Sequence, residues 1–146
     1  MTYKEEIRDL FSVPDDYILA HCISADFALG AGIAVKFREM GVKDELMRLC
    51  KKDDWRGFGY MLPTSSGRKT CNLITKQKYW YKPTYTTLRQ SLEALKVYIV
   101  KFIPDKKVAM PLIGCGLDGL EWEKVKEMIH EVFANTDIEV LICRLK

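Results

Sequence analysis

Paired cysteines are missing from this chain of 146 residues. Cys22, Cys50, Cys71, Cys115 and Cys143 are odd in number, far apart and include no C-x-x-C. Disulfide scaffolds favour even counts in shorter chains, and zinc sites favour close ligand pairs, so reduced thiols and no metal are expected. A large charge of one sign is missing as well. The 23 Lys+Arg and 20 Asp+Glu leave a net charge of +3, too small to imply nucleic acid as an obligatory partner. No apolar run reaches the roughly 18 residues that span a membrane. The opening Met1-Thr2-Tyr3-Lys4-Glu5-Glu6 lacks the apolar stretch of a signal peptide. Repeats, linkers and low-complexity tracts are lacking too. A single soluble domain over residues 1–146 is therefore expected, cytoplasmic or, in a eukaryote, nuclear, with no membrane partner. The length leaves no room for the paired nucleotide-binding halves and substrate domain of a typical dehydrogenase. Disorder is excluded by 48% hydrophobic residues, enough for a core at this length without staples.

What is present is an alternation of strand and helix. Tyr17-Ile18-Leu19-Ala20-His21-Cys22-Ile23 is nearly continuous apolar sequence, as in a strand covered on both faces. Gly30-Ala31-Gly32 then opens a helix with Ile33, Ala34 and Phe37 on one face and Gly41 at its end. A short second helix carries Leu46, Leu49 and Cys50. Strands are expected over 57–62 and 71–76, with Ser65-Ser66-Gly67 as the turn between them. Leu88, Leu92, Leu95, Ile99 and Phe102 recur at helical spacing, with Thr84 as N-cap and Pro104 as the stop. A strand over 108–113, a loop over 114–119, a helix marked by Trp122, Val125, Ile129 and Val132, and a buried strand over 138–143 complete the chain. The class is α/β with a mixed, largely parallel central sheet, so a site belongs in the loops beyond the strands' carboxyl ends.

Two glycine loops lie in such places. Gly114-Cys115-Gly116-Leu117-Asp118-Gly119 matches G-x-G-x-x-G between a strand and a helix, and Glu139 follows about 20 residues on, as a dinucleotide fingerprint asks. Glycines admit a ligand close to the backbone, and free N–H groups at a helix start attract phosphate. One strand alone follows this loop, which argues against a Rossmann enzyme. A tight turn that needs positive φ at glycine is the plainer alternative. Gly30-Ala31-Gly32 supplies a second loop of the same kind, and the two together can clamp a pyrophosphate. Neither ends in the Lys-Ser/Thr of a P-loop, which disfavours NTP hydrolysis.

Five segments stand in order along the chain: Ala20-His21-Cys22-Ile23-Ser24, Gly30-Ala31-Gly32-Ile33-Ala34, Leu73-Ile74-Thr75-Lys76, Lys82-Pro83-Thr84-Tyr85 and Pro111-Leu112-Ile113-Gly114-Cys115-Gly116-Leu117-Asp118. Together they closely resemble the macrodomain family, in its terminal ADP-ribose protein glycohydrolase branch. The resemblance implies a three-layer α/β/α domain that binds ADP-ribose without a cofactor. It implies removal of mono-ADP-ribose from glutamate or aspartate side chains, with nucleic-acid bases and O-acetyl-ADP-ribose as further candidate substrates. It assigns Lys76 as nucleophile and Asp118 as acid/base. It also assigns Asp9 and Leu10 to the adenine side, Ser24 to the ribose side and Leu145 to a C-terminal contact. Gly30, Gly32, Ile33, Leu112, Ile113, Gly114, Cys115, Gly116 and Leu117 fall in the ADP-ribose-binding loops. ADP-ribosylated proteins would be its partners, and a monomer is expected. Arg8 departs from the glycine common at its position, and Tyr79-Trp80-Tyr81 forms an unusually aromatic loop. A non-catalytic ADP-ribose reader and an ADP-ribose 1″-phosphate phosphatase are the alternatives.

Each residue also has a plainer reading. Lysine at a strand end usually solvates the edge. As a nucleophile it must shed a proton that free lysine holds to about pH 10.4, so Asp118 is expected to accept that proton during attack. Asp118-Gly119-Leu120-Glu121 reads equally well as a capping box for the following helix. His21 reads as a satisfied core histidine, His130 as a solvated one and Cys115 as a packing residue. For Tyr79, Trp80 and Tyr81, flanked by Lys78 and Lys82, a partly packed loop cover is favoured over stacking on exposed bases.

Overall fold

Alternation along the buried strands sorts the core into two layers. Strand β2 (Ile18–Ser24) sends Ile18 and Ala20 into one apolar cluster and Leu19 and Ile23 into the other. The last strand, 139–144, does the same with Val140 and Ile142 against Leu141 and Cys143. A strand hydrophobic on both faces must be covered on both faces, which dictates helices above and below the sheet. The computed structural model describes residues 1–55, 59–63 and 67–145. Its remaining elements are β1 (Thr2–Ile7), α1 (Ala34–Glu39), α2 (Val42–Leu49), β3 (Gly59–Pro63), β4 (Lys69–Lys76), α3 (Tyr85–Phe102), β5 (Lys107–Met110), α4 (Trp122–Phe133) and β6 (Glu139–Arg144).

The sheet order is β1-β6-β5-β2-β4-β3. Five strands run parallel and β3 pairs antiparallel with β4, giving the mixed, largely parallel sheet expected. Leu88, Leu92, Leu95 and Ile99 of α3 and Val125, Ile129 and Val132 of α4 fill one layer. Phe37 of α1 with Val42 and Leu46 of α2 fill the other. Gly41, at φ +91°, makes the break between α1 and α2. Thr84 caps α3 through a reciprocal box: its hydroxyl accepts from the Thr87 N–H at 3.1 Å, and its own N–H donates to the Thr87 hydroxyl at 3.0 Å.

Several expectations need correction. Phe102 is 62% exposed instead of facing the core. It is the last residue of α3, and the chain leaves the helix so that Ile103 is buried in its place. Leu49 likewise faces outward, and Cys50 lies just past the end of α2. Strand β5 stops at Met110, three residues early, because Pro111 has no N–H and the Ile113 N–H turns back to the Pro111 carbonyl at 2.8 Å. Positions 57, 58, 65 and 66 of the expected strand and turn lie outside the described residues, and β4 starts two residues before 71. Strand β1 was not expected at all. It is an edge strand whose charges are matched across elements, Glu5 pairing with Lys126 and Arg144.

His21 is fully buried, as expected, but only half satisfied. Its ring stacks on Phe37 at 3.6 Å and 9°. Its Nε2 meets Oδ1 of Asn72, its partner in register on β4, at 2.6 Å, while Nδ1 finds no partner. His130 lies exposed on α4, beside the Tyr3 ring.

Candidate active site

Parallel strands end at a common edge, and the loops that follow them share one cleft. Strands β2 and β5 are neighbours, yet their crossovers leave on opposite faces, through α1 and α2 from β2 and through α4 from β5. That divergence opens a crevice at their carboxyl ends. Residues 8–12 follow β1, 25–33 follow β2, 77–84 follow β4, 111–121 follow β5 and Leu145 follows β6. Every ADP-ribose-site position named from the family resemblance falls on this edge, Ser24 and Lys76 as the last residues of their strands.

Lys76 is the last residue of β4, and Asp118 ends a 3-10 turn, Gly116–Asp118. The Lys76 Nζ and Asp118 Oδ1 lie 2.8 Å apart, with the two side chains 15% and 19% exposed. A pair so sheltered is screened far less than a surface salt bridge. The capping-box reading of Asp118 fails. Helix α4 starts at Trp122 behind Glu121, which makes no side-chain cap bond, and the Glu121 N–H is satisfied by the Tyr85 hydroxyl at 3.0 Å. Asp118 is thereby spared for Lys76.

The tight-turn reading of the glycine loop over 114–119 holds. Gly114, Gly116 and Gly119 all have φ between +72° and +80°. A Cβ on Gly114 would also meet Leu120 Cδ1 at 2.9 Å and Leu88 Cδ2 at 3.1 Å, whereas open space lies beside Gly116 and Gly119. The first glycine loop is bent differently. Phe27 and Leu29 take positive φ, 56° and 45°, and are held there by burial at 0% and 4% exposure. Strain of this kind, about 1–3 kcal/mol per residue, concentrates at functional sites. Gly32, at φ +59°, leads into α1 with open space beside it, and Gly30 is exposed.

The other named residues occupy graded positions around the cleft. Asp9 caps a short 3-10 turn by accepting from the Phe11 N–H at 2.9 Å, and Leu10 is buried in that turn. Arg8 lies across the same turn, its guanidinium donating to the Ser12 hydroxyl and carbonyl. Ser24 is buried, its hydroxyl donating to Asp26 at 2.5 Å. Ile33, Leu112 and Cys115 are half-buried and Ile113 is buried, while Leu117 and Leu145 are exposed. Burial, with the Asp118 charge behind it, raises the Cys115 thiol and pushes the Cys22 thiol up to about 12. Neither is a nucleophile at neutral pH. Glu139 stands at the opposite edge, at the start of β6, where it accepts from the Tyr17 hydroxyl. The dinucleotide fingerprint therefore fails at its acid.

Two connecting residues were not among the site positions named from the sequence, although Lys82 lies in one of the five family segments. Asp26 accepts from Ser24, from the Ala28 N–H at 3.3 Å and from the Tyr79 N–H at 3.0 Å, tying the loop after β2 to the loop after β4. Burial alone would raise its pKa, but these hydrogen bonds together hold it below the ordinary value. Lys82 donates to the Leu117 carbonyl, tying the loop after β4 to the turn that carries Asp118. Such contacts join residues 53 and 35 positions apart, beyond any local pattern. The favoured packed-cover reading of the aromatic loop is overturned. Tyr79, Trp80 and Tyr81 are 61%, 61% and 50% exposed and touch one another edge to face.

A cavity of about 680 Å³ lies elsewhere, between Phe11, Tyr17, Lys36, Met40 and Arg68 near the strands' amino ends. Arg68 there is committed to the carbonyls of Val13, Pro14 and Tyr17, so its work is to pin the turn before β2.

No family model matches the chain. It is 46% identical to the human ADP-ribose glycohydrolase OARD1 over 139 residues, 94% of this chain and 88% of that protein. Among solved structures, the macrodomain of Mycobacterium tuberculosis DarG superposes with a TM-score of 0.82 at 22% identity, over 99% of this chain and 98% of that one. Thermosipho africanus DarTG, solved in complex with ADP-ribose, gives 0.77 at 20% identity, over 98% of this chain and 41% of that one. With likeness of this degree over nearly its whole length, the chain belongs to the ADP-ribose glycohydrolase family and has the macrodomain fold.

Proposed function

We propose that this protein removes mono-ADP-ribose from glutamate and aspartate side chains, with Lys76 as nucleophile and Asp118 as acid/base. The observation that carries the reading is the 2.8 Å contact between them. It joins a strand end and a turn across the cleft, and it leaves Asp118 without the structural duty that would explain it otherwise. In the reaction the Lys76 Nζ bonds to C1″ of the distal ribose as the ester C1″–O bond breaks. The protein carboxylate departs with the electron pair, and the Nζ proton passes to Asp118. The adduct opens its ribose ring to an imine, Nζ=C1″, and water adds at C1″ to release the Lys76 amine and ADP-ribose, with Asp118 returning the proton. The open space beside Gly32, Gly116 and Gly119 suits a diphosphate approached by backbone N–H groups. Asp9 and Leu10 would line the adenine side, Ser24 the ribose side, and Leu145 would add a C-terminal contact.

Borohydride reduction during turnover is expected to add one ADP-ribose mass at Lys76. Asp118→Asn should lower turnover by about 10²–10⁴-fold while ADP-ribose binding and melting temperature stay near wild type. Full activity in Lys76→Ala would sink the mechanism. Tight binding with no release from any linkage would select a reader, and phosphate release from ADP-ribose 1″-phosphate would select a phosphatase.

A second reading rests on the exposed Tyr79, Trp80 and Tyr81, which offer stacking faces for the base of an ADP-ribosylated nucleic acid. The flanking ammonium groups count against it, since Lys78 is paired with Asp53 at 2.9 Å and Lys82 with Leu117. A salt-dependent affinity for single-stranded DNA would support it; a flat salt response would end it. We also propose work as a monomer in a reducing compartment, cytoplasmic or nuclear, where the five free cysteines would stay reduced.

A further inference from the structure

Asp118 hangs from a support that is thin by itself. Its turn is three residues long and closed by a hydrogen bond from the Gly119 N–H to the Gly116 carbonyl at 3.1 Å, inside a wider loop closed by the Leu120 N–H on the Gly114 carbonyl at 2.9 Å. Glycines with left-handed backbone flank it, and open space adjoins both. Glu121, at the start of α4, makes no side-chain cap bond. Neither of the two loop-closing bonds engages Leu117 or Asp118 itself.

Lys82 supplies the missing restraint. Its ammonium donates to the carbonyl of Leu117, the residue before Asp118. The backbone that carries Lys82 is itself braced. Upstream, the Tyr81 N–H donates to the Lys78 carbonyl at 3.0 Å and the Tyr79 N–H donates to Asp26. Downstream, Pro83 is buried with its φ fixed, and the Thr84–Thr87 box anchors α3. The links close a ring that runs from Lys76 through residues 77–82 to Leu117 and Asp118, and back to Lys76 across the ion pair.

We propose that Lys82 is a positioning residue for the hydrolase reaction, holding the Asp118 turn so that its carboxylate stays on the Lys76 amine. This rests on the reading of Lys76 and Asp118 as the reacting pair. Lys82 is exposed, so its removal costs the fold little, whereas a displacement of about 1 Å at a reacting group can cost as much as 10²-fold in rate.

The test uses Lys82→Met, Lys82→Gln and Lys82→Arg in the full chain, with a glutamate-linked ADP-ribosyl peptide as substrate. Both neutral variants are expected to lose about tenfold or more in kcat, with ADP-ribose Kd within twofold of wild type and melting temperature within about 2 °C. Lys82→Arg, which keeps a cationic donor, should recover most of the rate. Wild-type kcat in either folded neutral variant overturns the proposal. So does a weaker ADP-ribose Kd at unchanged kcat, which would make Lys82 a ligand contact instead. Borohydride trapping on the wild type separates the two levels. Without an adduct at Lys76 the parent reading falls; with an adduct and an indifferent Lys82, this proposal alone falls.

Discussion

Burial holds His21 in its neutral form and pushes its pKa down to about 4, against the smaller opposing effect of the Asn72 hydrogen bond. In the unfolded chain the same imidazole titrates near 6.5. Between those values the unfolded state binds a proton that the folded state refuses, so stability is full above about pH 6.5 and falls as the pH drops toward 4. The whole window is worth about 3 kcal/mol. Urea midpoints should therefore decline between pH 7 and 5.5 in the wild type, and His21→Leu should flatten that decline; an equal slope in both would refute the assignment. The site residues were legible to different degrees. Lys76 and Asp118 stood out through the segments they share with a family, not through local chemistry, since a strand-end lysine and a capping aspartate are both commonplace. Asp26 and Lys82 were illegible as connectors because contacts between distant loops leave no periodic trace.

Among elements, the loop over 114–119 separates two reasons for glycine. Gly116→Ala meets open space and suffers only the left-handed φ, about 1 kcal/mol. Gly114→Ala suffers the same strain and also pushes on Leu120 and the fully buried Leu88, so a loss of about 2–3 kcal/mol is expected. Denaturant unfolding of the two variants should rank them in that order, and equal losses would show that packing around Gly114 yields freely. The long helix α3 was plain in the sequence because its buried positions, Leu88 to Ile99, keep a period of three to four residues over about three turns. Its last turn misled, since the spacing continues to Phe102, yet that side chain lies exposed at the helix end and Ile103 is buried instead. Strand β5 ended early for a reason the sequence did contain, the missing N–H of Pro111. The edge strand β1 stayed hidden because its polar residues are answered by neighbours from α4 and β6 instead of by an apolar face.

At the scale of the whole molecule, β1 closes one side of the sheet and carries the turn of Asp9 and Leu10 to the cleft. It pairs with β6 through six residue positions, from Thr2↔Glu139 to Ile7↔Arg144. Removing residues 1–8 would uncover that flank of β6 and release the turn together. A fall in melting temperature of about 10 °C, corresponding to a few kcal/mol in a domain this size, is expected along with weaker ADP-ribose binding. Unchanged binding in the shortened chain would exclude the Asp9 turn from the ligand site. The class and layer order were readable in advance because strands buried on both faces admit few other solutions. The order of the strands was not, because pairing between distant segments is written in no single stretch of sequence.

The separation of Asp118 from the start of α4 has a consequence for how such a protein can change over generations. Had one carboxylate both capped the helix and served Lys76, every mutation of that turn would have been judged on two counts at once. With the helix starting at Trp122 and the carboxylate resting on its own turn, the two duties sit on different residues. A lineage can shorten, lengthen or recap α4 through substitutions at Glu121 and Trp122 while the Lys76–Asp118 pair stays in place.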